Sequence, residues 1–128
     1  MPITYQIDTS RGVIRTRCVG EVRLPDVLGH FRQLQIDDDR PARLDVILDL
    51  TETTSLPSSD QLREVSEAIG RIRNDVQFGA CAIVTDSDAW FGTAQVFEVL
   101  AARNFTATKV FREIGEAEAW IAARRLVS

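Results

Sequence analysis

The segment Leu44-Asp45-Val46-Ile47-Leu48-Asp49-Leu50 constrains this chain more than any other. Its residues alternate strictly, which is the period of a strand. Leu44, Val46, Leu48 and Leu50 point one way, and Asp45, Ile47 and Asp49 point the other. A parallel strand covered on both faces reads as a nearly continuous apolar run. This one does not, so it predicts a sheet with one covered face and one partly polar face. The stretch Val13 to Val19 repeats the pattern. Ile14, Thr16 and Cys18 share one side, and Val13, Arg15, Arg17 and Val19 share the other. Arg15 and Arg17 are then expected to face Asp45 and Asp49 across adjacent strands.

The remaining elements follow from periodicity and punctuation. Ile3, Tyr5 and Ile7 alternate with polar residues, and Asp8-Thr9-Ser10-Arg11-Gly12 is turn chemistry, so the chain opens with a hairpin. Leu24, Val27, Leu28, Phe31 and Leu34 recur at helical spacing, with Pro25 at the helix start. After the central strand comes a polar loop, Thr51 to Pro57, with Ser58 or Ser59 as cap of a helix carrying Leu62, Val65, Ile69 and Ile72. Ala80 to Thr85 reads as a strand, Thr85-Asp86-Ser87-Asp88 as a capping turn, and Trp90 to Arg103 as a helix. Ala107 to Arg112 and Gly115 to Arg125 are the last strand and helix, the latter with Ala117, Trp120 and Ile121 inward.

The order β-β-α-β-α-β-α-β-α predicts an α/β fold. Its five strands form a mixed sheet, with four helices mainly on one face. Right-handed crossovers to successive neighbouring strands place their helices on that one side. Residues 1–128 are read as a single domain.

Composition removes several classes of function. The chain is 45% hydrophobic and 27% charged, ordinary for a soluble globular protein. No apolar run nears the roughly 18 residues of a membrane helix, so no transmembrane segment is expected. Met1-Pro2-Ile3-Thr4 is no signal peptide, and a cytoplasmic location is expected. Two cysteines and one histidine do not make a zinc site or disulfide scaffold. Neither a metal nor a cofactor is expected. The net charge is −4 with dispersed basic residues, which argues against nucleic-acid binding. Asp37-Asp38-Asp39 lacks the spaced oxygens of a calcium loop and reads as solvated. Cys18 and Cys81 read as buried, inert thiols.

Ligands of open α/β sheets sit beyond the carboxyl ends of the strands. Two loops answer to that position. Thr53, Thr54 and Ser55 belong to one, and Asp86 and Ser87 to the other. Trp90 and Phe91 begin the helix beside them. Adjacent aromatics do not both face a core easily, so one is expected partly exposed, as a contact for a protein partner, a small apolar ligand or a lipid. Core packing is the competing explanation. His30 reads as a surface or boundary histidine, because no sequence feature supplies it with a nucleophile or orienting group. Asp86 and Asp88 are explained by helix capping. There is no Gly-rich phosphate loop and no Gly-x-Ser-x-Gly, so no catalytic residue is assigned and the chain is not read as an enzyme.

The element order, the LDVILDL strand with its serine-bearing helix start, and the closing KVFREIGEAEAWI resemble the SpoIIAA-like proteins, which share the STAS fold. The resemblance spans roughly residues 3 to 123. In STAS antagonists a serine at this helix start is phosphorylated and controls binding to a kinase partner. The resemblance therefore implies Ser58 and Ser59 as candidate switch residues. Here the stretch is Pro57-Ser58-Ser59-Asp60, without the preceding Asp and following Gly of the family pattern. The resemblance implies a small regulatory or protein-interaction module, acting on a protein partner or as a homodimer. The alternative is a carrier or sensor of a small apolar ligand or lipid. It draws on Trp90, Phe91 and Phe97 along the third helix and on lipid-carrier folds with which the family is compared.

Overall fold

The computed structural model describes residues 2–127, with side chains through residue 124. The elements run β1 (Ile3–Asp8), β2 (Val13–Gly20), α1 (Leu24–Gln35), β3 (Arg43–Thr53), α2 (Ser59–Ile72), β4 (Gln77–Val84), α3 (Asp88–Ala101), β5 (Ala107–Phe111) and α4 (Ile114–Val127). They form a five-stranded sheet in the order β1-β2-β3-β4-β5. Strands β1 and β2 pair antiparallel, and every later neighbour pairs parallel. The hairpin closes through Gly12 at φ 65°, a left-handed conformation that glycine adopts without steric cost.

The first three helices connect successive parallel strands and lie side by side on one face. The crossover rule requires this, since each connection advances one strand in the same direction. The helices thus lie mainly on one face, and helix α4 is the one that does not share it. It follows the last strand and leads to no further one, so the rule does not bind it. It packs on the opposite face against β3, β4 and β5.

The apolar residues therefore form two layers, not one. The larger joins Ile14, Leu44, Leu50, Ile69 and Ile83 to the three crossover helices. The smaller joins Val13, Ile47, Ala82, Val84, Ala117 and Ile121 under α4. Strand β4 is buried on both faces over Phe78 to Val84, as its nearly continuous apolar run requires.

The polar face of the central strand is correspondingly divided. Asp45 is buried and stands opposite Val13 of β2, not opposite Arg15 or Arg17. The β3–β4 register shifts between Leu44 and Val46, and the Asp45 carboxylate accepts from the Ala80 N–H there at 2.9 Å. A side chain thus supplies a bond that an irregular ladder leaves open. Arg17 does stand opposite Asp49, but its guanidinium bonds to Glu52. Arg15 stands opposite Ile47 and reaches Glu118 on α4, in a bidentate pair at 2.7 and 2.9 Å.

Candidate functional site

Between the sheet and α1, α2 and α3 lies a cavity of about 160 Å³. Alternation builds its floor. Thr16 and Cys18 of β2, Leu48 of β3 and Ile83 of β4 lie on the faces their strands turn toward the helices. Phe31 of α1, Val65 of α2 and Phe97 of α3 form walls. The lining is almost entirely apolar. A cavity of roughly 150 Å³ with such a lining stays dry and admits benzene.

The rim lies at the carboxyl ends of β2 and β3. Ser55 organises it. Its Oγ accepts from the Val22 N–H at 2.9 Å and donates to the Val22 carbonyl at 3.2 Å. Its own carbonyl accepts from the Trp90 indole Nε1–H at 2.7 Å. One residue thereby joins the segment before α1, the segment before α2 and the first turn of α3. Thr53 Oγ1 donates to the Gly20 carbonyl at 3.0 Å, and Thr54 N–H donates to the same oxygen at 2.9 Å. Gly20 itself has φ 71°.

Among the residues expected at a site, Thr53, Ser55 and Trp90 come together on the cavity. Thr54 is exposed beside the rim. Asp86 is exposed, and Ser87 caps α3 by accepting from the Trp90 N–H at 3.4 Å. Phe91 lies away from the cavity under the Arg112 guanidinium, 4.3 Å from the ring centroid. Trp90 and Phe91 are both half-buried. Ser58 is the N-cap of α2 in a reciprocal box: its Oγ accepts from Gln61 N–H, and Gln61 Oε1 accepts from Ser58 N–H. Ser59 is the exposed first residue of that helix.

His30, read from the sequence as a surface or boundary histidine, is half-buried on α1. It lines the cavity from α1, and its Nδ1 is buried without a hydrogen-bond partner. Its ring lies edge-on to Tyr5 at 5.2 Å and against Phe31 at 5.7 Å. Burial lowers its pKa to about 4, so the imidazole is neutral at neutral pH. Burial likewise raises the Cys18 thiol to about 11 and the Cys81 thiol to about 12, which keeps both protonated and unreactive there. Tyr5 is pushed up to about 12 by burial and by donating to Asp37 at 2.6 Å. Among the described residues, no three His, Cys, Asp or Glu side chains are grouped to hold a metal ion.

Among solved structures, the chain is similar to an uncharacterised protein of the DUF3478 family from Shewanella loihica PV-4, described as having a SpoIIAA-like fold. The match has a TM-score of 0.60 over 93% of this chain and 91% of that one, at 14% identity. The chain has a SpoIIAA-like fold. No family model matches the sequence, and no curated protein matches it significantly. At that identity the SpoIIAA-like likeness fixes the architecture and leaves the chemistry to the site. Among the described residues, no helix of this SpoIIAA-like domain is long and apolar enough to cross a membrane.

Proposed function

We propose that this chain is a non-enzymatic binding module that holds a small apolar ligand between its sheet and the three crossover helices, as a carrier or sensor. The observation that carries the reading is the cavity of about 160 Å³ with its apolar lining. Protein interiors are otherwise close-packed, and a void of this size forfeits dispersion contacts along its whole lining. A ligand restores them. The protonated thiols and the neutral imidazole supply no activated nucleophile at the site. Native mass spectrometry of protein purified from its own host tests the reading. A retained small-molecule adduct supports it, and a clean mass in every preparation counts against it.

A protein-interaction role is the second reading. Val96 and Val99 are exposed on the outer side of α3, Val99 to 77%. Exposed apolar side chains grouped on one helix mark contact surfaces more often than scattered ones do. A pull-down with wild type and with a Val96→Ser/Val99→Ser variant tests it. The reading fails if both recover the same partners.

A further inference from the structure

One hydroxyl is set into the floor of the cavity. Thr16 lies on β2 between Ile14 and Cys18, which line the cavity with it, and stands opposite Leu48 of β3, a further lining residue. It is 4% exposed. Among the described residues, its Oγ1 has no hydrogen-bond partner. The unpaired buried side-chain atoms closed to water are His30 Nδ1, Asn104 Oδ1 and Thr108 Oγ1, and Thr16 Oγ1 is not one of them. The Thr16 hydroxyl therefore borders open space. For a residue this buried, that space is the cavity it lines. His30 borders the groove outside α1 as well as the cavity, and Thr16 borders the cavity alone. The rim hydroxyls are already engaged, Ser55 Oγ with Val22 and Thr53 Oγ1 with the Gly20 carbonyl. A buried donor left unpaired carries its full desolvation cost, and an acceptor that enters with the ligand recovers it. A water molecule recovers less, because it needs about two to four polar partners and meets an apolar surround here.

Resting on the reading of the cavity as a binding site, we infer that its ligand is an uncharged, largely apolar molecule with one acceptor oxygen, of the ketone, ester or ether class, and that the Thr16 hydroxyl donates to that oxygen. Three arguments select this class. First, a carbonyl or ether oxygen accepts and brings no donor of its own. A ligand hydroxyl would share one hydrogen bond with Thr16 and leave one O–H over. Second, a carboxylate at this depth lacks a counter-charge. Among the described lining residues the charged one is Arg23, which is mostly exposed and bonds Glu21 at 3.3 Å. A buried ion without a partner is strongly disfavoured. Third, the volume of about 160 Å³ suits one six-membered ring or a short alkyl chain.

Cyclohexanone and methylenecyclohexane are nearly isosteric probes that differ in the acceptor oxygen. Thr16→Val replaces the hydroxyl by a methyl group of similar shape. The variant is expected to be at least as stable as wild type without ligand, because it removes an unpaired buried donor. Calorimetric titration is expected to show cyclohexanone weakened by about tenfold in Thr16→Val, and methylenecyclohexane changed by less than about threefold. The infrared carbonyl stretch of cyclohexanone bound to wild type is expected below its position in an alkane solvent, and to return there in Thr16→Val. Should both probes bind wild type and their affinity ratio stay unchanged in Thr16→Val, the inference is overturned and the cavity reading stands. A carbonyl stretch in wild type equal to that in alkane also overturns it. Should neither probe bind wild type, the cavity reading itself fails and this inference with it. If Thr16→Val does not fold, the hydroxyl is a structural partner within the protein and the inference is overturned.

Discussion

The Trp90 indole N–H donates to the Ser55 carbonyl at 2.7 Å, across 35 residues of sequence. The bond ties the first turn of α3 to the loop that follows β3. The aromatic reads in sequence as a surface contact or as core. In the fold it is both a cavity lining and a rim fastener.

Trp90→Phe keeps an aromatic ring and removes the donor. The Ser55 carbonyl then loses its indole partner, at a cost of about 1–2 kcal/mol. Urea denaturation should show the midpoint falling with an unchanged slope. The amide of Val22, which Ser55 Oγ holds at 2.9 Å, should exchange its hydrogen faster. A midpoint equal to wild type would mean the fastener holds nothing.

Helix α4 makes the far face of the sheet a core. Ala117 is fully buried there against β-strand residues such as Ile47 and Val84. Ala117→Asp buries a carboxylate in that layer and should destabilise by about 3 kcal/mol or more. On an open, solvated face the same change would stay within about 0.5 kcal/mol. Thermal denaturation separates the two.

Much of the architecture was legible because local rules act where helices join parallel strands. The alternation of Leu44 to Leu50 places Val46, Leu48 and Leu50 on the cavity side, and the crossover rule places α1 to α3 there. The position of α4 escaped because no rule of connection governs a helix after the last strand. Its signal was still present in Phe78-Gly79-Ala80-Cys81-Ala82-Ile83-Val84, a run too apolar for a strand wet on one side. The candidate site was half legible. Ser55 and Trp90 stood out as loop and helix-start residues, but a cavity depends on how helices seat on a sheet. His30 follows the helical spacing only loosely, and its burial comes from Tyr5 of β1, distant in sequence.

His30 also makes a pH prediction. Its pKa is about 4 in the fold against an ordinary 6.5, so the unfolded chain takes up the proton first. Stability is full above pH 6.5 and falls as pH drops from there toward 4, by on the order of 3 kcal/mol in all. Tyr5 and Phe31 face the ring, and Asp26 and Arg32 border the groove outside it. Asp8, Asp37 and Glu118 are held below their ordinary values, so their losses come at lower pH. Denaturation at pH 7 and pH 5 should differ in wild type and much less in His30→Phe. Equal slopes in the two proteins would contradict the buried, neutral imidazole.

The two serines before α2 should separate cleanly. Ser58→Ala removes the cap and should cost about 1 kcal/mol. Ser59→Ala touches an exposed first-turn residue and should stay within about 0.5 kcal/mol. Chemical denaturation of the two variants checks the difference. Equal losses would contradict the assignment of Ser58 as the cap.

The cavity itself is tested most directly by calorimetric titration of toluene into wild type and into Ala94→Leu. Ala94 is 1% exposed and lines the cavity from α3, so a leucine there fills the space a ligand would take. Saturable binding at one site in wild type, abolished in a folded Ala94→Leu, is the predicted result. An absence of saturable binding to wild type, or equal binding to both proteins, would contradict a ligand site between the sheet and its three crossover helices.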